Sequence, residues 1–158
     1  MPLEVGANAP DATLFVKPRE PVSLKQLQGG DPLVVLFFPL AFSSVCTEEL
    51  CTVAEDRMAY QDLGAKVVAI SVDSPYTNTK FAEACGADFP ILSDFNREAI
   101  RAYDVVRQDL GGLNEVAERV VFVIDGTGTI SYVWQGEHPG VLPPFDEIKA
   151  AVKRAGRR

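Results

Sequence analysis

The sequence predicts an α/β domain, a mixed sheet flanked by helices on both faces. Three observations carry that prediction. Leu33–Phe38 is an unbroken apolar run, the pattern of a strand covered on both faces. Lys66–Val72 is a second such run, rich in β-branched residues, and the segment between them, Ser44 to Asp62, reads as a helix. A crossover of that kind is what parallel strands need. Finally, Asp125-Gly126-Thr127-Gly128 separates two more strand-like runs, Arg119–Ile124 and Thr129–Trp134. This is a strong hairpin signal, so the last two strands are antiparallel.

The other elements follow in chain order. Residues 1–30 hold short strand-like pieces broken by Pro10, Pro18, Pro21 and Gly29-Gly30, an irregular or hairpin extension. Thr77–Ala84 reads as a helix stopped at Gly86, Phe89–Leu92 as a short strand, and Arg97–Tyr103 as a short helix. Phe145–Arg154 closes the chain as an amphipathic helix begun after Pro143-Pro144. After the first segment the order is β-α-β-α-β-α-β-β-α. That is the thioredoxin-like arrangement, with an N-terminal extension or hairpin and a central insertion. No repeat or long linker interrupts it, and 158 residues suit one domain over residues 1–158.

Composition narrows the function. A net charge of −7 repels phosphate backbones, which argues against nucleic acid as a partner. The basic residues Lys153, Arg154, Arg157 and Arg158 read as a solvated helix end. No apolar run approaches the roughly 20 residues of a membrane span, and Met1–Gly6 lacks the pattern of a signal peptide. The expectation is a cytoplasmic protein with no membrane partner. Three cysteines in that setting argue against a structural disulfide framework. Cys46, Cys51, Cys85 and the single histidine, His138, show no zinc-ligand spacing, so neither metal nor cofactor is expected. His138 lies in a turn and reads as solvated, while Tyr103 and Trp134 read as core or pocket wall.

The chemistry is concentrated just after the first apolar strand. Pro39 ends that strand, a short bend follows, and Cys46 falls in the first turn of the next helix. Unpaired N–H groups and the positive end of the helix dipole favour negative charge there, and thiolate is the reactive form of cysteine. Ser43, three residues earlier, lies on the same face, where its hydroxyl can meet the thiolate or a bound oxygen. Read alone, the segment also fits a strand-ending proline, a helix-capping Ser43 or Ser44, and a cysteine packed as a small hydrophobe.

The pattern Pro39-x3-Ser43-x2-Cys46 resembles the active-site motif of the peroxiredoxins: proline, three residues, Thr or Ser, two residues, cysteine. The likeness extends along the chain in the family's order. Val5–Asp11 resembles the opening segment, Phe89-Pro90-Ile91-Leu92-Ser93-Asp94 the middle strand and turn, and Arg119–Asp125 the late strand with its leading arginine. Two subgroups are similar: the E type of alkyl hydroperoxide reductase, through Phe37–Phe42, and the Q type (bacterioferritin comigratory protein), through the Cys46-x4-Cys51 spacing. Ser43 replaces the commoner Thr but keeps the hydroxyl, and Ala12 stands where Phe is usual.

The resemblance implies a thiol peroxidase with Cys46 as the attacking thiolate and hydroperoxide as substrate. It places Arg119 beside Cys46, as cation and donor to the peroxide oxygens. It makes Glu49 the orienting partner of that arginine. Without such pairing, Glu48 and Glu49, as first-turn carboxylates, would suit the dipole yet oppose a nearby thiolate. Glu48 reads as solvated. Cys51 stands at the Q-type resolving position, with Cys85 and an external thiol as alternatives. The regenerating partner is a dithiol such as thioredoxin, and the assembly a monomer or homodimer. On an intact helix Cys46 and Cys51 are separated by a rise of about 7.5 Å and about 140° of rotation, beyond disulfide reach, so their linkage requires local unwinding. A rival reading is a redox-sensing module that uses Cys46 as a switch without turnover. A disulfide oxidoreductase is argued against by the absence of CxxC.

Overall fold

The computed structural model describes residues 1–156; Arg157 and Arg158 of the basic cluster lie outside the described residues. The chain opens with a hairpin, β1 (Thr13–Lys17) and β2 (Glu20–Ser23), followed by a single-turn helix, α1 (Leu24–Gln28). Next come β3 (Leu33–Phe37), α2 (Ser44–Glu55), α3 (Arg57–Asp62) and β4 (Lys66–Ser71). After α4 (Pro75–Cys85), β5 (Ile91–Ser93) and α5 (Glu98–Ala102), a small hairpin pairs β6 (Val106–Arg107) with β7 (Val116–Ala117). The chain ends with β8 (Val120–Ile124), β9 (Ile130–Gln135) and α6 (Phe145–Ala155).

One seven-stranded sheet runs β2-β1-β5-β4-β3-β8-β9. β3, β4 and β5 are parallel, while β1, β8 and β9 join their neighbours antiparallel. This is the expected mixed, thioredoxin-like sheet. Successive side chains of a strand face opposite ways, so β3 supplies both cores. Leu33, Val35 and Phe37 pack with Phe122, Tyr103 and Ile100 on the face covered by α1 and α5. Val34, Leu36 and Phe38 pack with Leu50, Phe81 and Val152 on the face covered by α2, α3, α4 and α6. The N-terminal segment takes the hairpin form, with Pro21 in an edge strand, where a missing N–H is tolerated. The central insertion is the β6–β7 hairpin.

Two expectations are corrected. The single helix foreseen over Ser44–Asp62 breaks at Asp56, whose φ of −101° and ψ of 15° are not helical. Its carboxylate pairs with Lys149 of α6. Asp is a poor helix former, and this tie to a distant helix fixes the bend. The helix foreseen at Thr77–Ala84 starts earlier, because Ser74 Oγ accepts from Thr77 N–H at 3.2 Å and Pro75 takes the first position. Other boundaries differ by one or two residues, and Gly86, at φ 65°, ends α4 as expected.

The β8–β9 turn is organised by Asp125, whose Oδ1 accepts from Thr127 N–H at 2.9 Å and Thr129 N–H at 3.1 Å. Gly126 passes close to the Gly29-Gly30 turn, and a Cβ on it would stand 2.6 Å from Gly30 O. Backbone cannot retreat as a side-chain tip can. Gly126→Ala is expected to destabilise the fold by about 1–3 kcal/mol, read as a lower urea midpoint at constant slope. An unchanged midpoint would show that the two turns separate freely.

Candidate active site

The register of two strands builds the site. Phe37, the last residue of β3, faces Val120, the first of β8. Arg119, one residue before β8, therefore stands beside the exit of β3, where Phe38 and buried Pro39 lead into α2. Between them the chain bends sharply, and Phe42 adopts a left-handed φ of 66°, a costly conformation for a side chain of this size. The Asp73 carboxylate holds the bend by accepting Ala41 N–H at 2.7 Å. Ser43 is the N-cap residue of α2, which makes Cys46 its third helical residue. Helix geometry leaves the N–H groups of Ser44, Val45 and Cys46 without intrahelical acceptors.

Arg119 is buried and spends all three nitrogens in the site. Its Nη2 donates to Cys46 Sγ at 2.9 Å, its Nη1 to Glu49 Oε1 at 2.6 Å, and its Nε to Pro139 O at 2.8 Å. Cys46 and Glu49, three residues apart on one helical face, are fully buried. Two acidic groups thus share one cation. Burial pushes the Glu49 carboxyl up to about 7, against the pull of the Arg119 guanidinium and its hydrogen bond. Glu49 Oε2 has no hydrogen-bond partner among the described residues, which fits a carboxyl that is neutral part of the time near pH 7. When it is neutral, the field of Arg119 acts on Cys46 alone.

A family model described as AhpC/TSA matches residues 5–133. The chain belongs to the AhpC/TSA family. It is 34% identical over 140 residues to alkyl hydroperoxide reductase E of Mycobacterium tuberculosis, covering 87% of this chain and 88% of that protein. It is 29% identical over 137 residues to peroxiredoxin Bcp of Bacillus subtilis, covering 85% and 87%. The crystal structure of peroxidoxin BcpB from M. tuberculosis superposes with a TM-score of 0.85 at 29% identity, over 96% of this chain and 97% of that one. The expected likeness to E-type and Q-type peroxiredoxins is borne out, as is the fold.

Within this AhpC/TSA site, the six residues singled out in the sequence take distinct positions. Cys46, Glu49 and Arg119 converge, and Pro39 is buried at the exit of β3 that leads to them. Ser43 Oγ donates its proton to Leu40 O at 2.8 Å, so its oxygen is left as an acceptor rather than a donor towards sulfur. Cys51 lies further along α2 and is directed elsewhere: its thiol donates to Cys85 Sγ at 2.8 Å. All three cysteines are free thiols. Glu48 is exposed, and α2 begins at Ser44, so Glu48 and Glu49 fall in its second turn rather than the first. His138 is exposed, as expected.

Two participants went unread in the sequence. Asp73 was signalled only by its place at a strand exit, before the capping Ser74. Its carboxylate also accepts Ser71 Oγ–H at 2.7 Å, and Ser93 Oγ–H donates to its carbonyl. Pro139 acts through its main-chain oxygen, which no side-chain pattern reveals.

The position of Glu49 fixes a pH dependence. A carboxyl raised from 4.5 to about 7 by folding binds more protons folded than unfolded between those values. Its contribution to stability is complete below about pH 4.5 and is lost as pH rises through about 7. Urea midpoints of the wild type and Glu49→Gln are expected to diverge across that window, with the wild type losing more as pH rises. Parallel curves would place a permanently ionised carboxylate beside Arg119.

Proposed function

We propose that this chain is a thiol peroxidase in which Cys46 thiolate reduces hydroperoxides. The observation that carries the reading is the Arg119 Nη2 to Cys46 Sγ contact of 2.9 Å at the third residue of α2. Cation, helix dipole and unpaired N–H groups act together on one sulfur, and each favours its thiolate. The relatives' names support the same chemistry: one is called an alkyl hydroperoxide reductase and another a peroxiredoxin.

In this reading the thiolate attacks the terminal oxygen of a hydroperoxide. An S–O bond forms, the O–O bond breaks, and the other oxygen leaves as water or alcohol after taking a proton. Cys46 becomes a sulfenic acid. Arg119 donors and the free N–H groups of α2 stabilise charge on the oxygens as the bond breaks. Ser43 Oγ, with its own proton on Leu40 O, accepts the hydroperoxide O–H. Cys46 has no exposed surface, so peroxide enters on a local opening, and exposed Phe42, Ser43 and Ser44 form the solvent side of that segment.

Cys51 then condenses with the sulfenic acid, releasing water. Both cysteines lie within the unbroken α2, where residues five apart cannot be bridged. The first turns of α2 therefore unwind before the bond forms, a local opening distinct from the chemical step. A dithiol such as thioredoxin, in a reducing compartment such as the cytoplasm, regenerates the enzyme.

The test is peroxide consumption in the presence of a thioredoxin system. Sustained turnover is expected in the wild type. Cys46→Ser should abolish it with the fold intact, because a serine hydroxyl is not ionised at neutral pH. Consumption that stops after one equivalent, despite reductant, would instead identify a redox switch.

A further inference from the structure

We propose that Cys51 and Cys85 become a disulfide during turnover, and that this bond, rather than Cys46–Cys51, is the oxidised form that the external reductant meets. The proposal rests on the peroxidase reading above and adds a third cysteine to it. The two sulfurs approach to 2.8 Å across α2 and α4, without a bond between them. Closing to the disulfide length of about 2.05 Å needs only a small movement. Neither helix has to unwind for it: Cys51 is in the body of α2, and Cys85 is the last residue of α4, before the Gly86 cap.

The same helix therefore treats two possible disulfides in opposite ways. Intact α2 excludes Cys46–Cys51 and aligns Cys51 with Cys85. As α2 rewinds, it returns Cys46 and Leu50 to the core that they share with Phe38 and Phe81. That burial is lost while the Cys46–Cys51 bond holds the helix open, so refolding favours exchange.

The exchange balances without any new oxidant. The first bond forms when Cys51 displaces water from the Cys46 sulfenic acid. Cys85 then gives up its proton to solvent, and its sulfur attacks Cys51 Sγ. The Cys51–Cys85 bond forms, the Cys46–Cys51 bond breaks, and Cys46 departs as thiolate. Attack on Cys51 releases Cys46, and as α2 rewinds Arg119 receives that sulfur with a charged donor. Its departure restores the attacking thiolate before any reductant has acted. In the reduced fold, burial and then the neighbouring Cys51 push the Cys85 thiol up to about 12. The resting Cys85 thus stays protonated and leaves peroxide to Cys46. Once Cys51 is held in the first disulfide it no longer ionises beside Cys85, which removes the second of these causes when Cys85 is needed. Both Cys51 and Cys85 are part-exposed whereas Cys46 is buried, so a bond between them is the one a protein dithiol can reach.

The experiment treats fully reduced protein with one equivalent of hydrogen peroxide, without reductant, and traps thiols by alkylation at successive times. Peptide mapping should find Cys46–Cys51 first, then its replacement by Cys51–Cys85 with Cys46 alkylated again. The wild type should consume a second equivalent of peroxide promptly, whereas Cys85→Ser should stop after the first and keep Cys46–Cys51. The mapping on wild type decides the matter even if Cys85→Ser folds poorly. Persistence of Cys46–Cys51 with Cys85 still alkylated, or a Cys46–Cys85 bond, overturns the relay but leaves the peroxidase reading intact. A Cys46 that is oxidised at no time point, with no disulfide formed, removes both.

Discussion

A single guanidinium, that of Arg119, joins the parts of this protein that chemistry needs. It is buried, and its donors are divided among a thiol, a carboxyl and a loop carbonyl. A buried cation must be compensated, and leaving one unpaired costs several kcal/mol. The fold is arranged so that it is never left without partners. The pairing of β8 with β3 sets Arg119 beside the exit of β3, α2 brings Cys46 and Glu49 down together, and the loop after β9 closes the third side. Because Glu49 is drawn towards neutrality by burial, the guanidinium can serve the Cys46 sulfur without a second full negative charge opposing it.

The other constraint is the integrity of α2. Folded, the helix presents Cys46 to Arg119 and Cys51 to Cys85. Unfolded at its start, it lets Cys46 and Cys51 meet. In the proposed cycle peroxide reduction uses the first state and resolution the second, which asks for a helix only marginally favoured near its N-terminus. Local features agree. Ser43 forms no side-chain cap on α2, so a common source of N-terminal stability is missing. Phe42 holds a left-handed backbone just ahead of it. The carboxylate of Asp73 ties the bend from a separate strand end, which keeps the entry to the helix in place while its first turns open.

Much of this was legible in the sequence, and the limits have physical reasons. Leu33–Phe38 and Lys66–Val72 declared themselves because strands covered on both faces are apolar throughout. The 125–128 turn was legible because its residue types favour few other conformations. The break at Asp56 was not, since it depends on Lys149 in the last helix. β6 and β7 are too short to show a period. At the site, Cys46 could be read from its position after a strand, as a helix began. Arg119 came from family resemblance, because its proximity to Cys46 is a consequence of strand register across 73 positions. The Cys51–Cys85 contact had no signature at all, being formed by two helices that meet 34 residues apart in the chain.

The central claim is that the Arg119–Cys46 contact drives the reaction of this thiol with peroxide. It is tested most directly by the rate at which hydrogen peroxide oxidises Cys46, in a Cys51→Ser/Cys85→Ser background where Cys46 is the only thiol. Comparison with the same protein carrying Arg119→Met isolates the cation while keeping an apolar stem. The account predicts fast oxidation with Arg119 present and a markedly slower one when it is replaced. Equal rates would contradict it, leaving the 2.9 Å contact as packing rather than chemistry.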